Sequence, residues 1–254
     1  MDTFNVVLYS ILPTFLYIFF IYTILPYNTF SLKTSSIYWA FGALSVLLVM
    51  GIYKLYPDWY TIPDRLSNIY VDKLGYLHVK YFIQIALLEE TSKMVMFLLV
   101  PILGSRLKMF KDITPSQIMI YCGIVALGFS GIENIFYGIN VNNPGVVLKF
   151  RSISAVPAHF IFGLYMGYFI AKGRLALKIK HKSFIDSILN NKVWLRKIIY
   201  GLFGLFVAII LHGIYNLHIA LNKFGHISGT YIFLFICTFG VYFCYRDLKK
   251  INSQ

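Results

Sequence analysis

The sequence predicts an all-α protein, a polytopic membrane helix bundle of about seven transmembrane helices. Its mean hydropathy is +0.69, and 58% of its 254 residues are hydrophobic, which is far too apolar a composition for a soluble domain. Apolar runs of about 20 residues recur along the chain, and this is the length that crosses the hydrocarbon layer of a bilayer. Only ten residues are acidic. We therefore expect a single integral membrane domain over residues 1–254.

The predicted helices are taken in chain order, each as one apolar run of membrane-spanning length. The first follows MDTFN, which lacks the basic region of a signal peptide, so we expect this helix to stay in the mature protein. The third to sixth runs each contain an ionisable side chain, and the seventh leads into a basic C-terminus. The predicted bounds are 6–25, 37–56, 81–103, 117–140, 152–172, 197–221 and 227–245.

Lysine and arginine are distributed unevenly between the two sets of loops. Of the 23 basic residues, 15 fall in one set and 7 in the other, while Lys93 lies within the third predicted helix. Because cytoplasmic loops carry the excess of basic residues, this bias predicts a cell-membrane protein with its N-terminus outside and its C-terminus and the loop KGRLALKIKHKSF in the cytoplasm. The net charge of +13 is therefore attributed to topology and to attraction to the anionic lipid bilayer, with no nucleic acid as partner.

Four consecutive predicted helices carry polar side chains in apolar surroundings. Each ionisable group at membrane depth costs at least ~2.5 to 3.5 kcal/mol on insertion scales, so such groups face the bundle interior and have a function. A rise of about 1.5 Å per residue places them at one level, roughly 10 to 14 Å below the outer face. The residues are Glu89, Glu90 and Lys93 on the third helix, Glu133 and Asn134 on the fourth, His159 on the fifth, and His212 and Asn216 on the sixth.

Each of these residues also has a purely structural interpretation. A Glu–Lys pair such as Glu89 and Lys93, four residues apart, is equally well explained as a structural ion pair. A lone membrane histidine is more often a hydrogen-bonding core residue than a ligand. Independent structural residues would have no reason to share one depth, however. Together they predict a functional site in the outer half of the bilayer.

The residue types at this level suit hydrolysis. A carboxylate can act as the general base that activates water, and histidine and asparagine can either bind a metal ion or donate hydrogen bonds to a developing oxyanion. No aspartate lies inside a predicted helix, and the motifs HExxH, GxSxG and Walker A do not occur. The competing class is a non-enzymatic ion- or proton-coupled transporter, whose polar residues are expected to extend across the bilayer and whose inverted repeats are not evident here.

Four ordered motifs on these helices resemble those of the PrsW-type intramembrane endopeptidases, which are related to the CAAX proteases and the bacteriocin self-immunity proteins. The segment EETSK at 89–93 resembles the family's EExxK, FSGIEN at 129–134 resembles FxxxEN, HFIFG at 159–163 resembles HxxxG, and HGIYN at 212–216 resembles HxxxN. The motifs span about half of the chain. The CAAX relatives carry a histidine where this chain has Glu133, and that departure favours the PrsW interpretation.

The resemblance implies an intramembrane protease that hydrolyses a peptide bond in a membrane-anchored protein, with a four-helix catalytic core over residues 81–221. The implied substrate is a single-pass regulator such as an anti-sigma factor, cut on its extracytoplasmic side in a site-1-type cleavage. A CAAX-type or self-immunity protease is the alternative within the superfamily. The implied catalytic residues are Glu89, Glu90, Lys93, Glu133, Asn134, His159, His212 and Asn216.

Two mechanisms remain open at this point. In the first, Zn²⁺ is bound by Glu133, His159 and His212, and Glu89 or Glu90 activates water. In the second, which needs no metal, Glu89 or Glu90 acts with His159 on water, and His212 with Asn216 donates hydrogen bonds to the oxyanion. The ligand types favour the metal-dependent version slightly, although their spacing is not diagnostic.

Overall fold

A computed structural model describes residues 1–24, 31–56, 73–106, 113–175, 193–222 and 227–252. The described residues are helical apart from short turns and contain no strand, so the all-α prediction is confirmed. The helices are α1 Thr3–Ile24, α2 Leu32–Leu55, α3 Lys73–His78, α4 Leu88–Arg106, α5 Pro115–Ile139, α6 Pro144–Ile153, α7 Ala155–Leu175, α8 Val193–Asn222 and α9 Ile227–Asn252. Most of the predicted basic loop over 173–196 lies outside the described residues.

Within the described residues, six helical stretches are long and apolar enough to cross a membrane. They are Thr3–Ile24, Leu32–Leu55, Pro115–Ile139, Pro144–Arg174, Trp194–Leu221 and Ser228–Lys250. The chain is thus a multi-pass membrane protein. The third predicted span corresponds to the helix that carries Glu89, Glu90 and Lys93, and these three charges make it less apolar than the other six.

The helix α5 is the centre of the bundle. It packs against α1, α2, α4 and α7, and nearly every residue from Ile118 to Gly131 is buried. A helix that is apolar all round is expected in such a central position. Its start is fixed by a capping box, in which Thr114 and Gln117 satisfy each other's backbone N–H groups, followed by Pro115 in the first turn.

Small residues allow the helices to approach α5 closely, as expected for membrane helix packing. A Cβ at Gly163 of α7 would lie 2.7 Å from the carbonyl oxygen of Cys122, and one at Gly167 would lie 2.7 Å from the Cα of Met119. The small residues of α5 allow other helices to approach it closely. A Cβ at Gly128 would overlap the backbone of Trp39 on α2.

Several helix ends differ from the prediction: α2 begins at Leu32 rather than at residue 37, and α9 continues to Asn252 rather than ending at residue 245. The third helix begins at Lys73 rather than at residue 81, because α3 continues without a break through a π-helical segment, Val79–Leu87, into α4. The fifth predicted helix is preceded by a separate short helix, α6. Asn143 caps α6 by accepting from the backbone N–H of Val146, and Pro144 opens its first turn.

Candidate active site

The polar residues that the sequence singled out converge on one buried cluster. The first two turns of α4, directly after the π-helical segment, supply Glu89, Glu90 and Lys93. Further members come from α5, α7 and α8. A π-helical turn, which is wider than an α-helical one, often marks a functional site. The π-helical segment packs on α8, since a Cβ at Gly213, next to His212, would overlap the ring of Phe82.

The innermost part of the cluster is a charged triad that excludes solvent. Glu90 is completely buried, and its Oε1 accepts hydrogen bonds from Lys93 Nζ at 2.7 Å and from His212 Nδ1 at 2.8 Å. Burying a single charge would be very costly, whereas a carboxylate with a cation and a second donor is tolerated. Lys93 thus pairs more closely with Glu90 than with Glu89, and this pair links α4 to α8 through His212.

His159 connects this triad to the carboxylate on α5. Its Nδ1 lies 3.1 Å from Lys93 Nζ, and its Nε2 lies 3.0 Å from Glu133 Oε2. A lysine ammonium has no acceptor, so Nδ1 must accept its proton and the Nε2–H must donate to Glu133. This tautomer is assigned from the contacts. Both ring nitrogens of His159 are engaged.

The outer part of the cluster contains a residue that sequence reasoning missed. Arg151, on α6, donates from Nη2 to Glu133 Oε2 at 2.6 Å and from Nε to Asn134 Oδ1 at 2.5 Å. Its guanidinium also lies 3.8 Å from the ring centroid of Tyr137. The sequence placed Arg151 in a loop and counted it only as a topology signal. Its position directly before the predicted helix 152–172, which carries His159, was the available clue.

Glu89 differs from the other two glutamates because its carboxylate is left without a close partner. Its Oε2 lies 3.6 Å from Lys93 Nζ and 3.9 Å from His212 Nε2. Among the described residues this buried oxygen accepts no hydrogen bond, and the same is true of Glu90 Oε2. Buried polar atoms are normally satisfied, so such atoms need an explanation, and a bound cation would supply one.

His212 offers a lone pair on the same side. Its Nδ1 donates to a carboxylate that can only accept, so in the neutral ring Nε2 carries the lone pair and lies on the side of Glu89, 3.9 Å from its Oε2. A histidine held this way by a carboxylate, with the other nitrogen left to bind, has the arrangement found around metal-ligating histidines. Glu90 is therefore suited to orient His212.

The structure contains one group of three potential metal ligands among the described residues. One ligand atom each from Glu89, His159 and His212 lies within 4.8 Å of the others, and all three side chains are buried. Two histidines and a carboxylate suit zinc, which takes nitrogen and oxygen ligands and keeps a fourth position open in catalytic sites. With the unpartnered oxygen of Glu89 and the lone pair of His212, these residues fit a divalent cation. His159 would exchange one of its two hydrogen bonds for the metal.

Glu133 stands apart from this group. Its Oε2 is held by both Arg151 and His159. The ligand set Glu133, His159 and His212 expected from the sequence therefore stays a prediction beside the set that contains Glu89.

The two asparagines behave differently. Asn134 is buried and joined to the cluster through Arg151, and its Nδ2 has no hydrogen-bond partner among the described residues. Asn216 lies one turn after His212 and is half-buried. Within the described part of the chain, the cluster's hydrogen bonds and ion pairs run through the other residues and do not include Asn216.

Aromatic rings enclose the charged groups. The ring centroid of Phe129 lies 4.0 Å from Lys93 Nζ, and Phe162 stacks on His212 with centroids 5.5 Å apart. The rings of His159 and His212 meet edge to face at 5.0 Å. In such low-dielectric surroundings, hydrogen bonds and charge interactions are stronger than in water.

Comparison with known proteins supplies a family. Residues 35–242 match the model of the PrsW family of intramembrane metalloproteases, and this range includes every residue of the cluster. The chain is 30% identical over 141 residues to Protease PrsW of Oceanobacillus iheyensis, covering 55% of this chain and 54% of that protein. It is 28% identical over 151 residues to Protease PrsW of Shouchella clausii, covering 58% and 56%. The chain thus spans about half the length of the curated relatives it matches, and no solved structure matches it.

Proposed function

The chain belongs to the PrsW family of intramembrane metalloproteases, and from that premise we propose that it hydrolyses a peptide bond in a membrane-anchored protein. One observation carries this proposal: two histidines and a carboxylate whose Oε2 has no hydrogen-bond partner are gathered inside a membrane helix bundle. Two further carboxylates, Glu90 and Glu133, stand beside them. Such a constellation provides both metal ligands and a base for water.

We assign the metal site to Glu89, His159 and His212, and its ion to Zn²⁺. When bound there, zinc supplies Lewis-acid polarisation of the scissile carbonyl and makes water a stronger nucleophile. Glu90 holds the imidazole of His212 through Nδ1, so that Nε2 faces the site. Lys93 compensates the charge of Glu90.

Of the two carboxylates outside the metal set, Glu133 is the more accessible to water. Its side chain is 16% exposed, whereas that of Glu90 is fully enclosed. It accepts hydrogen bonds from Arg151 and His159, and a carboxylate that only accepts is in the form a general base requires. In this proposal Glu133 takes the role that the sequence assigned to Glu89 or Glu90, and Arg151 orients it.

The metal-free mechanism is less well supported by the same geometry. It requires His212 to donate a hydrogen bond to the oxyanion, yet in the neutral ring the one proton of His212 lies on Nδ1 and is used by Glu90. Among the contacts of the described residues, Asn216, the second donor in that mechanism, forms no hydrogen bond to the cluster.

For the substrate, we propose a single-pass membrane protein that regulates transcription, such as an anti-sigma factor, cut on its extracytoplasmic side. The uneven distribution of basic residues supports this orientation, because the ends of α7 and α9 and the start of α8 are all basic and are expected in the cytoplasm. The cluster lies toward the opposite ends of these helices. A relationship to the CAAX proteases remains a prediction.

The test is a comparison of membrane-protein fragments between cells that express the wild type and cells that express Glu89→Gln. We expect at least one single-pass protein to accumulate uncut in the variant and to be cut again when the wild type is restored. His218→Ala is the matched control, since it removes a histidine of α8 that lies against Gly229 and outside the cluster. Identical fragment patterns at equal expression would contradict protease activity, and an ion flux lost in Glu89→Gln would favour a transporter.

A further inference from the structure

An apolar cavity of about 500 Å³ lies beyond the cluster, at the end of the bundle where α4 and α7 end and α2, α5 and α8 begin. This volume is within the range of roughly 300 to 1,000 Å³ that small-molecule sites occupy. The cavity is distinct from the candidate active site, because Lys93 points into the cluster while its neighbour Met94 lines the cavity. Its wall is apolar, with Met94, Phe97, Pro101, Ile118 and Ile170 among the lining residues.

The cavity is accessible from the lipid phase. Three of its lining residues, Leu98 on α4 and Ile198 and Leu202 on α8, are 40%, 48% and 55% exposed on the outside of the bundle. At its inner end, Tyr38 is buried and stacks on Tyr121 with ring centroids 4.7 Å apart. A hydrocarbon chain could therefore enter sideways between α4 and α8 and meet a closed aromatic wall.

Two cations stand at one end of this apolar space. Arg174, in the last turn of α7, and Lys197, near the start of α8, both line the cavity and are exposed. Neither has a carboxylate partner among the described residues. Nearby, Lys172 differs in this respect, since its Nζ lies 2.9 Å from Asp247. The described residues thus leave the charge at the cavity uncompensated.

We propose that this cavity binds one acyl chain of an anionic membrane lipid, whose phosphate is held by Arg174 and Lys197. The apolar wall matches the chain, the lateral opening admits it from the bilayer, and the two cations match a negative head group at the membrane surface. Arginine and lysine are the side chains that bind phosphate best, the former with a fork of donors and the latter as a point charge. No carboxylate among the described lining residues opposes the anion.

Native mass spectrometry of the full chain, released from nanodiscs of phosphatidylglycerol or phosphatidylcholine, tests this proposal. We expect one phosphatidylglycerol to be retained per chain and phosphatidylcholine to be lost. Each basic residue near a membrane surface contributes about a fivefold effect, so Arg174→Ala/Lys197→Ala should bind phosphatidylglycerol about 25-fold more weakly. The matched control is Arg246→Ala/Lys249→Ala, which removes the same charges from the basic end of α9 outside the cavity.

A second variant tests the cavity itself rather than the charge. Gly201 lines the cavity, and a Cβ there would meet only the flexible end of Met94, at 3.3 Å, so Gly201→Phe can fill the space without displacing backbone. We expect it to abolish lipid retention while the thermal unfolding midpoint stays near that of the wild type. The proposal would be overturned by equal retention of both lipids, by wild-type binding in either cavity variant, by an equal loss in the control, or by displacement with soluble glycerol phosphate. Cross-linking that shows a protein segment in the cavity would also overturn it.

Discussion

Arg151 provides the sharpest test of how the cluster is held together. In the pair Arg151→Met and Glu133→Gln, each change removes one partner of a 2.6 Å contact between Nη2 and Oε2, while the side-chain sizes remain similar. An interhelical hydrogen bond in a membrane protein averages about 0.6 kcal/mol and reaches about 1.7 kcal/mol. A charge-assisted bond is roughly twice as strong. We therefore expect a coupling energy of about 2 kcal/mol between the two residues, and a loss of about 3 kcal/mol for Arg151→Met, which also leaves Asn134 without its donor.

The assay is a double-mutant cycle on the free energy of unfolding, measured by titration with denaturing detergent and followed by circular dichroism. The control cycle uses Lys172 and Asp247, whose contact of 2.9 Å is of similar length but whose side chains are 32% and 41% exposed. An exposed pair is expected to couple by less than about 1 kcal/mol. If the changes at Arg151 and Glu133 add within about 0.5 kcal/mol, the assignment of Arg151 as the residue that orients Glu133 is refuted.

Three further predictions follow from named contacts. Glu90→Gln removes the charge that holds His212, so zinc affinity should fall about 10- to 100-fold in competition with a chelator, whereas His218→Ala should leave it unchanged. Lys93→Met leaves the buried Glu90 without its cation and should lower the free energy of unfolding by about 3 to 5 kcal/mol, with the exposed Lys54→Met as a near-neutral control. Gly42→Ala places a methyl group against the carbonyl of Val125 and should cost about 1 to 3 kcal/mol, while Gly51→Ala on the same helix meets nothing within 4 Å and should not lower the unfolding midpoint.

Much of the fold could be predicted because hydropathy reports directly on membrane helices. Each of the seven predicted runs coincides with helix in the structure. The prediction failed where a helix continues beyond the end of its apolar run. The residues from Lys73 to Lys80 are mixed in polarity. Their hydropathy alone does not tell whether they form a loop or a helix that extends beyond the apolar run. The turn signals before α6 were present in Asn143 and Pro144, but a short amphipathic helix lacks a membrane-length signal.

The site could be predicted as a group but not as a set of pairs. The shared depth of Glu89, Glu133, His159 and His212 indicated that they meet, and the structure brings them together. Sequence spacing could not tell which carboxylate each histidine faces, because this depends on how four helices are rotated about their axes. Arg151 was missed for a related reason. A basic residue at a helix end is counted as a topology signal unless the tertiary structure turns it inward.

The most direct test of the central claim is the metal content of the purified chain. The proposal assigns the ion to Glu89, His159 and His212, while Glu133 serves as the base. It predicts one zinc per chain in the wild type and in Glu133→Gln, and loss of zinc in Glu89→Gln with the fold retained by circular dichroism. Zinc kept in Glu89→Gln but lost in Glu133→Gln would support the other ligand set. A proteolytically active wild type without bound metal would contradict the metal-dependent account altogether.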